Sequence, residues 1–107
     1  SPVAATVAAA PADRLPARVE ETAYYVASEA LANAAKHARA TAVTISARHC
    51  DRGLEVEVDD DGVGGANPNG SGLRGLADRV AALDGRLRVD SPAGQGTRIT
   101  AELPCGS

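Results

Sequence analysis

The chain has 107 residues with a formal net charge of −3, and 44% of its residues are hydrophobic. This length predicts one folded domain over residues 1–107, because a chain of this size can bury one core but not two. The small acidic excess and the presence of only two aromatic residues argue against a nucleic-acid partner, which needs a basic face and stacking rings. No run reaches the ~18 apolar residues of a membrane span, so we expect no direct membrane insertion.

The two cysteines, Cys50 and Cys105, show no C-x-x-C spacing. A zinc site or a disulfide scaffold would need more cysteines or a closer spacing. Because two unpaired thiols are typical of an intracellular protein, we expect a cytoplasmic location.

The first third of the chain predicts a strand and then a long helix. The run over 3–9 has the length of a strand and is followed by a proline. From 16 to 38 the chain starts with a proline and then repeats apolar residues every three or four positions, as an amphipathic helix does. The predicted buried face of this helix comprises Val19, Ala23, Val26, Ala27, Ala30, Leu31, Ala34 and Ala38.

A hairpin is predicted next. Apolar and polar residues alternate over 41–49 and again over 54–60, which is the pattern of half-buried strands. The dipeptide Arg52-Gly53 between them predicts a short turn, so the two strands should pair antiparallel.

The second half of the chain predicts a helix and two more strands. Five apolar residues at helical spacing indicate the helix, and Gly85 is the predicted C-terminal cap. Strands over 86–91 and 97–104 follow, joined by a turn over 92–96. The apolar helix positions are Leu73, Leu76, Ala77, Val80 and Leu83.

The order of these elements predicts the fold class. Well-defined strands alternate apolar with polar or charged residues, which is typical of a sheet with one face on a core and the other in water. Two helices covering the inner face give an α/β (α+β) two-layer sandwich.

Gly70, Gly72 and Gly75 match the dinucleotide-binding pattern G-x-G-x-x-G, and Asp90 lies twenty positions beyond the first of them. That fingerprint must follow a strand directly, whereas a turn-forming stretch precedes Gly70 here. It also belongs to sheets covered on both faces, whose strands do not alternate. We therefore reject the dinucleotide interpretation; no P-loop motif occurs either.

A polar stripe borders the apolar face of the long helix. Glu29, Asn33, Lys36 and His37 follow one another at helical spacing. A carboxylate, an amide oxygen and an ammonium group suit a magnesium–triphosphate site, because Mg²⁺ takes a few protein oxygens together with substrate phosphates. Taken alone, such a stripe is more typical of a solvated helix edge carrying an ion pair.

A second group of residues follows the hairpin. Asp60, Gly62 and Gly64 form D-x-G-x-G directly after a strand, and the glycine-rich loop leads into the second helix. Helix N-termini with glycine-rich approaches bind phosphate through free N–H groups. A carboxylate there suits adenine, whose exocyclic amine donates a hydrogen bond. The alternative is a turn-rich connection without a ligand.

Four segments together resemble, in order, the four boxes of one ATPase fold shared by histidine kinases, DNA gyrase, MutL and the heat-shock chaperone ATPases. They are "EALANAAKHA" (29–38), "DDGVG" (60–64), "GSGLRGL" (70–76) and "GQGT" (94–97). Within that superfamily the chain is similar to the ATP-binding catalytic domain of bacterial two-component sensor histidine kinases, in the nitrate-sensor and desaturase-sensor branch. The resemblance covers about 15–104 and implies a Bergerat-type fold, with helices on one face of a mixed, largely antiparallel sheet.

The resemblance implies roles for the long helix. Asn33 would bind Mg²⁺, and Glu29 would orient Mg²⁺-bound water or assist proton transfer. Lys36 would reach the phosphates. His37 would pack against or contact a phosphate and would not be the phosphoacceptor.

It also implies an adenine site and a phosphate site. Asp60 would accept the adenine amine, and Thr97 would lie near Asp60 and help hold the base through a water. Residues 65–69 would form a short lid. The remaining contacts implied are Gly62 and Gly64, where the backbone passes close to the nucleotide, and Gly70, Gly72 and Leu73, which meet the phosphates.

The function implied is transfer of the γ-phosphoryl group of Mg·ATP to a histidine on a separate dimerisation domain, with a response regulator acting indirectly downstream. The isolated catalytic domain is expected to be monomeric. Two alternatives stay open: a serine kinase of the anti-sigma-factor type, and a nucleotide-responsive binding module without transferase activity. A histidine-bearing helical hairpin upstream of this domain would favour the histidine kinase over the serine kinase. Intact Glu29, Asn33 and Asp60 argue against the binding module.

Overall fold

In the computed structural model of this chain, the residues described are 4–9, 15–36, 39–51, 53–65 and 70–105. Within them the order of elements is strand, helix, strand, strand, helix, strand, strand, as predicted. The elements are β1 (Ala4–Ala9), α1 (Ala17–Lys36), β2 (Ala42–Cys50), β3 (Gly53–Asp60), α2 (Ser71–Ala81), β4 (Arg86–Asp90) and β5 (Thr97–Pro104).

The described strands form one five-stranded sheet in the order β1-β2-β3-β5-β4. The first pair, β1 and β2, is parallel, whereas the other three pairs are antiparallel. This confirms the prediction of a mixed, largely antiparallel sheet, and it confirms the β2–β3 hairpin.

The alternating pattern of the strands separates a buried face of the sheet from an exposed one. In β3, Val56 and Val58 are buried and pair with Ala101 and Ile99 of β5. Both helices pack on this inner face, α1 mainly over β3 and β5 and α2 over β4. The buried core is built from Ala, Val, Leu and Ile, as the absence of Phe, Trp and Met requires. From the helices it takes Val19, Val26, Ala30, Ala34, Leu73, Leu76 and Val80.

The outer face of the sheet carries charged residues in cross-strand pairs. Arg48 Nε donates to Glu55 Oε1 at 2.8 Å, and Arg98 Nε donates to Asp59 Oδ1 at 2.6 Å. Both arginines are exposed, so each pair contributes little to stability. This face therefore serves solubility more than folding.

The predicted turn of the hairpin was wrong by one residue. The ladder pairs Cys50 with Gly53, so Gly53 is the first residue of β3 and not part of the turn. A Cβ at Gly53 would stand 2.1 Å from the carbonyl oxygen of Leu103. Glycine is required there by the close approach of β5, not by the turn.

The predicted cap of the second helix was also wrong in its detail. The left-handed residue after α2 is Asp84, with a φ of 59°, and not Gly85. Gly85 N donates to Val80 O at 2.9 Å, but a Cβ there would stand 2.4 Å from the carbonyl oxygen of Glu102. Close packing against β5 again explains the glycine.

Both cysteines are free thiols, with Cys50 exposed and Cys105 half-buried. Of the helices in the described ranges, none has the length and apolar character needed to cross a bilayer.

Candidate functional site

The candidate site starts at the end of the sheet where β3 finishes at Asp60 and β5 begins at Thr97; we call this the Asp60 end. Asp60 Oδ1 accepts hydrogen bonds from the N–H of Gly62 at 2.9 Å and of Thr97 at 3.2 Å. Within the described part of the chain, no hydrogen bond reaches Oδ2. One oxygen of this half-buried carboxylate is thus held by the backbone, and the other is available to a donor from outside.

Two glycines allow the loops around Asp60 to touch. Gly96 has a φ of 79°, and a Cβ there would stand 2.2 Å from the carbonyl oxygen of Asp60. Gly64 has a φ of 68°, and its Cβ would stand 2.0 Å from the carbonyl oxygen of Pro92. Neither position has room for a side chain, so the loops approach backbone to backbone.

Hydrogen bonds join the same two loops, residues 61–65 and 91–96, which we call the paired loops. Gly65 N donates to Ser91 O at 2.7 Å, and Gly94 N donates to Val63 O at 2.5 Å. The hydroxyls of Ser91 and Thr97 lie 2.6 Å apart and share a hydrogen bond. The paired loops therefore form one unit that fixes the direction of the Asp60 carboxylate.

Asp61 fastens this unit to the start of β2. Its Oδ1 accepts the N–H of Thr41 at 2.8 Å and of Ala42 at 3.0 Å, and its Oδ2 accepts the Thr41 hydroxyl at 2.6 Å. The hydrogen bond from the Thr41 hydroxyl, followed by those from the two backbone N–H groups, lowers the pKa of Asp61. The carboxylate form thus stabilises the fold.

This pairing predicts a pH dependence. The pKa of Asp61 is lower in the folded chain than in the unfolded one. Its contribution to the free energy of unfolding is therefore complete above the ordinary aspartate pKa. It is lost as the pH falls through the lowered, folded-state value. We expect Asp61→Asn to lower the urea midpoint at pH 7 and to flatten its decline below about pH 4. Asp78→Asn, at an exposed position of α2, should keep the wild-type profile. Equal acid slopes in Asp61→Asn and wild type would contradict this assignment.

The two helices run antiparallel across the sheet. Val19, near the start of α1, and Asp84, just beyond the end of α2, line one pocket together. Further along α1, the Arg79 guanidinium carbon of α2 lies 4.3 Å from the centre of the Tyr25 ring. Residues later in α1 thus lie beside residues earlier in α2. The last turns of α1 therefore lie toward the N-terminus of α2.

The same end of α1 lies toward Asp60. Pro104, at the far end of β5, shares the pocket at the start of α1, so the last turn of α1 points toward Thr97. Beyond α1, Ala40 N donates to Ala34 O at 3.3 Å, and β2 starts two residues later. The three parts of the predicted site therefore lie toward the same end of the molecule.

The polar stripe of α1 borders the core as predicted. Ala30 and Ala34 are fully buried, whereas Glu29 and Asn33 are half-buried and Lys36 is exposed. One helical turn separates Glu29 from Asn33, so both side chains leave α1 on the same side. His37 lies outside the described residues.

The N-terminus of α2 offers unused backbone donors. Gly70 is the extended N-cap residue without a capping side chain, and the first helical bond runs from Arg74 N to Gly70 O at 2.9 Å. The N–H groups of Ser71, Gly72 and Leu73 hence have no partner within the helix. The side chain of Leu73 is 5% exposed and belongs to the core, so only its backbone can contact a ligand. The predicted lid residues 66–69 lie outside the described chain.

Residues 18–107 match the family model described as "Histidine kinase-, DNA gyrase B-, and HSP90-like ATPase". The chain belongs to this ATPase family. The match covers the site and all elements except β1, and it confirms the family that the four sequence boxes resemble.

Relatives of this ATPase domain are histidine kinases. It is 37% identical over 99 residues to the signal transduction histidine-protein kinase/phosphatase UhpB of Salmonella typhimurium, covering 81% of this chain and 19% of UhpB. It is 36% identical over 98 residues to the oxygen sensor histidine kinase NreB of Staphylococcus carnosus, covering 87% of this chain and 28% of NreB. The chain thus spans only 19% and 28% of the lengths of these two relatives.

Solved structures show the same ATPase fold. The histidine kinase domain of the blue-light-activated histidine kinase from Erythrobacter litoralis superposes with a TM-score of 0.79 at 27% identity, covering 96% of this chain and 52% of that one. The ATP-binding domain of PrrB from Mycobacterium tuberculosis superposes with a TM-score of 0.69 at 26% identity, covering 95% and 81%. The fold is that of histidine kinase ATP-binding domains.

Two pockets of about 320 and about 400 Å³ lie at the opposite end of this ATPase domain, and no predicted ATP residue lines them. Among the described residues, no group of three or more His, Cys, Asp or Glu side chains is arranged to hold a metal ion. A donor set of one amide and one nearby carboxylate fits Mg²⁺ arriving with phosphates, because Mg²⁺ keeps several non-protein ligands.

Sequence reasoning missed two residues of the site. Gly96 lies against the backbone of Asp60, and it is the second glycine of the "GQGT" segment that the sequence analysis singled out. Ser91 binds the Thr97 hydroxyl, and no local pattern marks it, because the contact forms only when β4 and β5 pair.

Proposed function

We propose that this ATPase domain is the catalytic domain of a cytoplasmic sensor histidine kinase. It would bind Mg·ATP and transfer the γ-phosphoryl group to a histidine on a separate dimerisation domain, for onward transfer to a response regulator. The observation that carries the proposal is the Asp60 carboxylate, held at Oδ1 by two backbone donors with Oδ2 left for an outside one.

The geometry suits adenine. An exocyclic amine is a donor, and a rigidly held carboxylate oxygen is its best partner. The carbonyl oxygen that guanine carries at that ring position would face the carboxylate and be repelled. Thr97 supports the same interpretation, because its N–H holds Asp60 Oδ1 and its hydroxyl is hydrogen-bonded to Ser91 in the neighbouring loop.

The phosphates would lie at the N-terminus of α2. Three backbone N–H groups without helical partners point there, and the helix dipole favours negative charge. A Cβ at Gly72 would meet no other atom within 4 Å, so the helix end is open. Lys36 and His37 would approach from α1 and meet the outer phosphates.

Asn33 and Glu29 would hold the metal. The amide oxygen of Asn33 would bind Mg²⁺ directly, and Glu29 would orient a water on it or take up a proton. When bound, Mg²⁺ neutralises phosphate charge during phosphoryl transfer. This chain therefore contributes positioning and electrostatic stabilisation, and the attacking histidine belongs to the other domain.

Calorimetry with a non-hydrolysable ATP analogue, ADP, GTP and NAD, each with and without Mg²⁺, tests binding. We expect adenine-selective affinity that Mg²⁺ strengthens for the triphosphate. Phosphotransfer from ATP to an added histidine-bearing dimerisation domain then tests the reaction. Acid-labile, base-stable phosphate on the acceptor supports the proposal, whereas acid-stable phosphate indicates a serine kinase and adenine-selective binding without transfer indicates a binding module.

Asn33→Ala should remove the Mg²⁺ dependence. We expect affinity for the metal-free nucleotide to change less than twofold, while the gain on adding Mg²⁺ disappears, because the direct protein ligand is lost. Ser28→Ala, at an exposed position on α1, is the matched control and should keep the gain. Mg²⁺ sensitivity that survives in Asn33→Ala would show that the polar stripe is a solvated helix edge.

A further inference from the structure

Tyr25 extends the polar stripe of α1 by one turn. It precedes Glu29 by four residues and Asn33 by eight, so Glu29 lies about 40° and Asn33 about 80° around the helix axis from it. Tyr25 is half-buried, whereas its neighbour Tyr24 is 76% exposed. Tyr25, Glu29 and Asn33 are thus all half-buried and lie along one border of the core face of α1.

The Tyr25 ring contacts α2 at two points one turn apart. The guanidinium carbon of Arg79 lies 4.3 Å from the ring centre, which is a cation–π contact. A Cβ at Gly75 would stand 3.3 Å from the Tyr25 hydroxyl oxygen. The phenol thus lies along α2, with its ring at Arg79 and its hydroxyl toward the N-terminal half.

The contact explains a glycine inside α2. Glycine lowers helix stability relative to alanine, and Gly75 does not have a positive φ. An alanine at this position would place its Cβ 3.3 Å from the phenol oxygen, so the phenol would have to shift by a few tenths of an ångström. A large residue on α1 is thus matched by an absent side chain on α2.

This contact lies close to the free donors of α2. Gly75 comes three residues after Gly72, so it lies about 4.5 Å along the helix from that N–H group. Leu73, Leu76 and Val80 belong to the same core cluster as the buried residues of α1. Tyr25 packs against that cluster and adds a contact between the two helices at its edge, through Arg79.

We propose that Tyr25 is a positioning residue that sets the spacing between α1 and α2, and thereby holds the phosphate-binding N–H groups opposite Asn33. The inference rests on the proposed function. Tyr25 itself touches neither base nor phosphate. A loss of spacing should therefore weaken binding of the triphosphate and leave binding of the nucleoside unchanged.

The test compares adenosine with a non-hydrolysable Mg·ATP analogue by calorimetry. In Tyr25→Ala we expect the analogue to bind about tenfold more weakly, because displaced groups bind poorly, and adenosine to bind within about twofold of wild type. Tyr25→Phe keeps the ring under Arg79 and should restore most of the analogue affinity. Tyr24→Ala, the neighbouring exposed tyrosine, should behave as wild type.

Gly75→Ala supplies a second test that does not enlarge a cavity. It presses on the phenol, and we expect it to weaken the analogue more than adenosine as well. This variant decides the matter if Tyr25→Ala does not fold. An unchanged ratio of analogue to adenosine affinity in the folded variants overturns the inference. Failure of the wild-type domain to bind the analogue overturns the proposed function instead, so the two failures are distinguishable.

Discussion

Asp60→Asn should weaken ATP binding by about 1–3 kcal/mol, or roughly five- to 150-fold. An asparagine has one acceptor and one donor end. With its oxygen in place of Oδ1, accepting from Gly62 and Thr97, its NH₂ group faces the adenine amine, and two donors oppose each other. The reverse orientation sets the NH₂ group against two backbone N–H groups. Neither orientation satisfies both sides, and calorimetry with the ATP analogue measures the loss.

The same argument predicts a change in base preference. Inosine triphosphate carries a carbonyl at the ring position where adenine has its amine, so it can accept from the new NH₂ group. We expect the ratio of inosine to adenosine triphosphate affinity to rise in Asp60→Asn. Asp59→Asn is the matched control, because Asp59 lies on the outer face with Arg98 and should leave both affinities unchanged. If Asp60→Asn keeps both affinities, another group reads the base.

Gly96→Ala should destabilise the fold by about 2–5 kcal/mol, which is a large share of a typical domain's stability. Part of the loss, about 1–2 kcal/mol, is left-handed backbone strain at a φ of 79°. The rest is overpacking, because the new methyl would stand 2.2 Å from the carbonyl oxygen of Asp60 and backbone must move. Urea unfolding measures the loss.

Gly94→Ala separates these two causes. Gly94 has a φ of 80°, but a Cβ there would meet nothing within 4 Å. We expect this variant to show only the strain, about 1–2 kcal/mol. Gly96→Ala should also weaken ATP binding, because the displaced backbone is that of Asp60. Equal losses of stability in the two variants would rule out the close approach as the reason for Gly96.

The fold followed from the sequence wherever one face of an element is buried. Alternation over β2, β3 and β5 marked the inner face correctly, because a slip of one residue would expose every apolar side chain. The glycines were harder to interpret. Gly53 and Gly85 suggested a turn and a cap, but both are required by close contact with β5, and the left-handed residue after α2 is Asp84. Local rules do not contain that long-range contact.

The roles predicted for the site residues are still untested, but the structure shows how several of these residues are held. The family resemblance grouped Asp60 with Thr97 across 37 positions, and the structure joins them by a hydrogen bond. Spacing alone could not have done so, because β5 reaches β3 only after the β4–β5 turn. The same reason hid Ser91 and the support that Gly96 gives to Asp60. The ligands assigned to these residues remain predictions for the binding experiments.

The stacking of Tyr25 against α2 also has an optical consequence. The chain has no tryptophan and two tyrosines, so its ultraviolet emission comes from Tyr24 and Tyr25 alone. Tyr24 is in water and supplies a constant signal, whereas the Tyr25 phenol is covered by the Arg79 guanidinium. Any shift of α2 relative to α1 changes the surroundings of that phenol. The domain thus carries its own label-free fluorophore between its two helices, suited to following nucleotide exchange in a stopped-flow instrument.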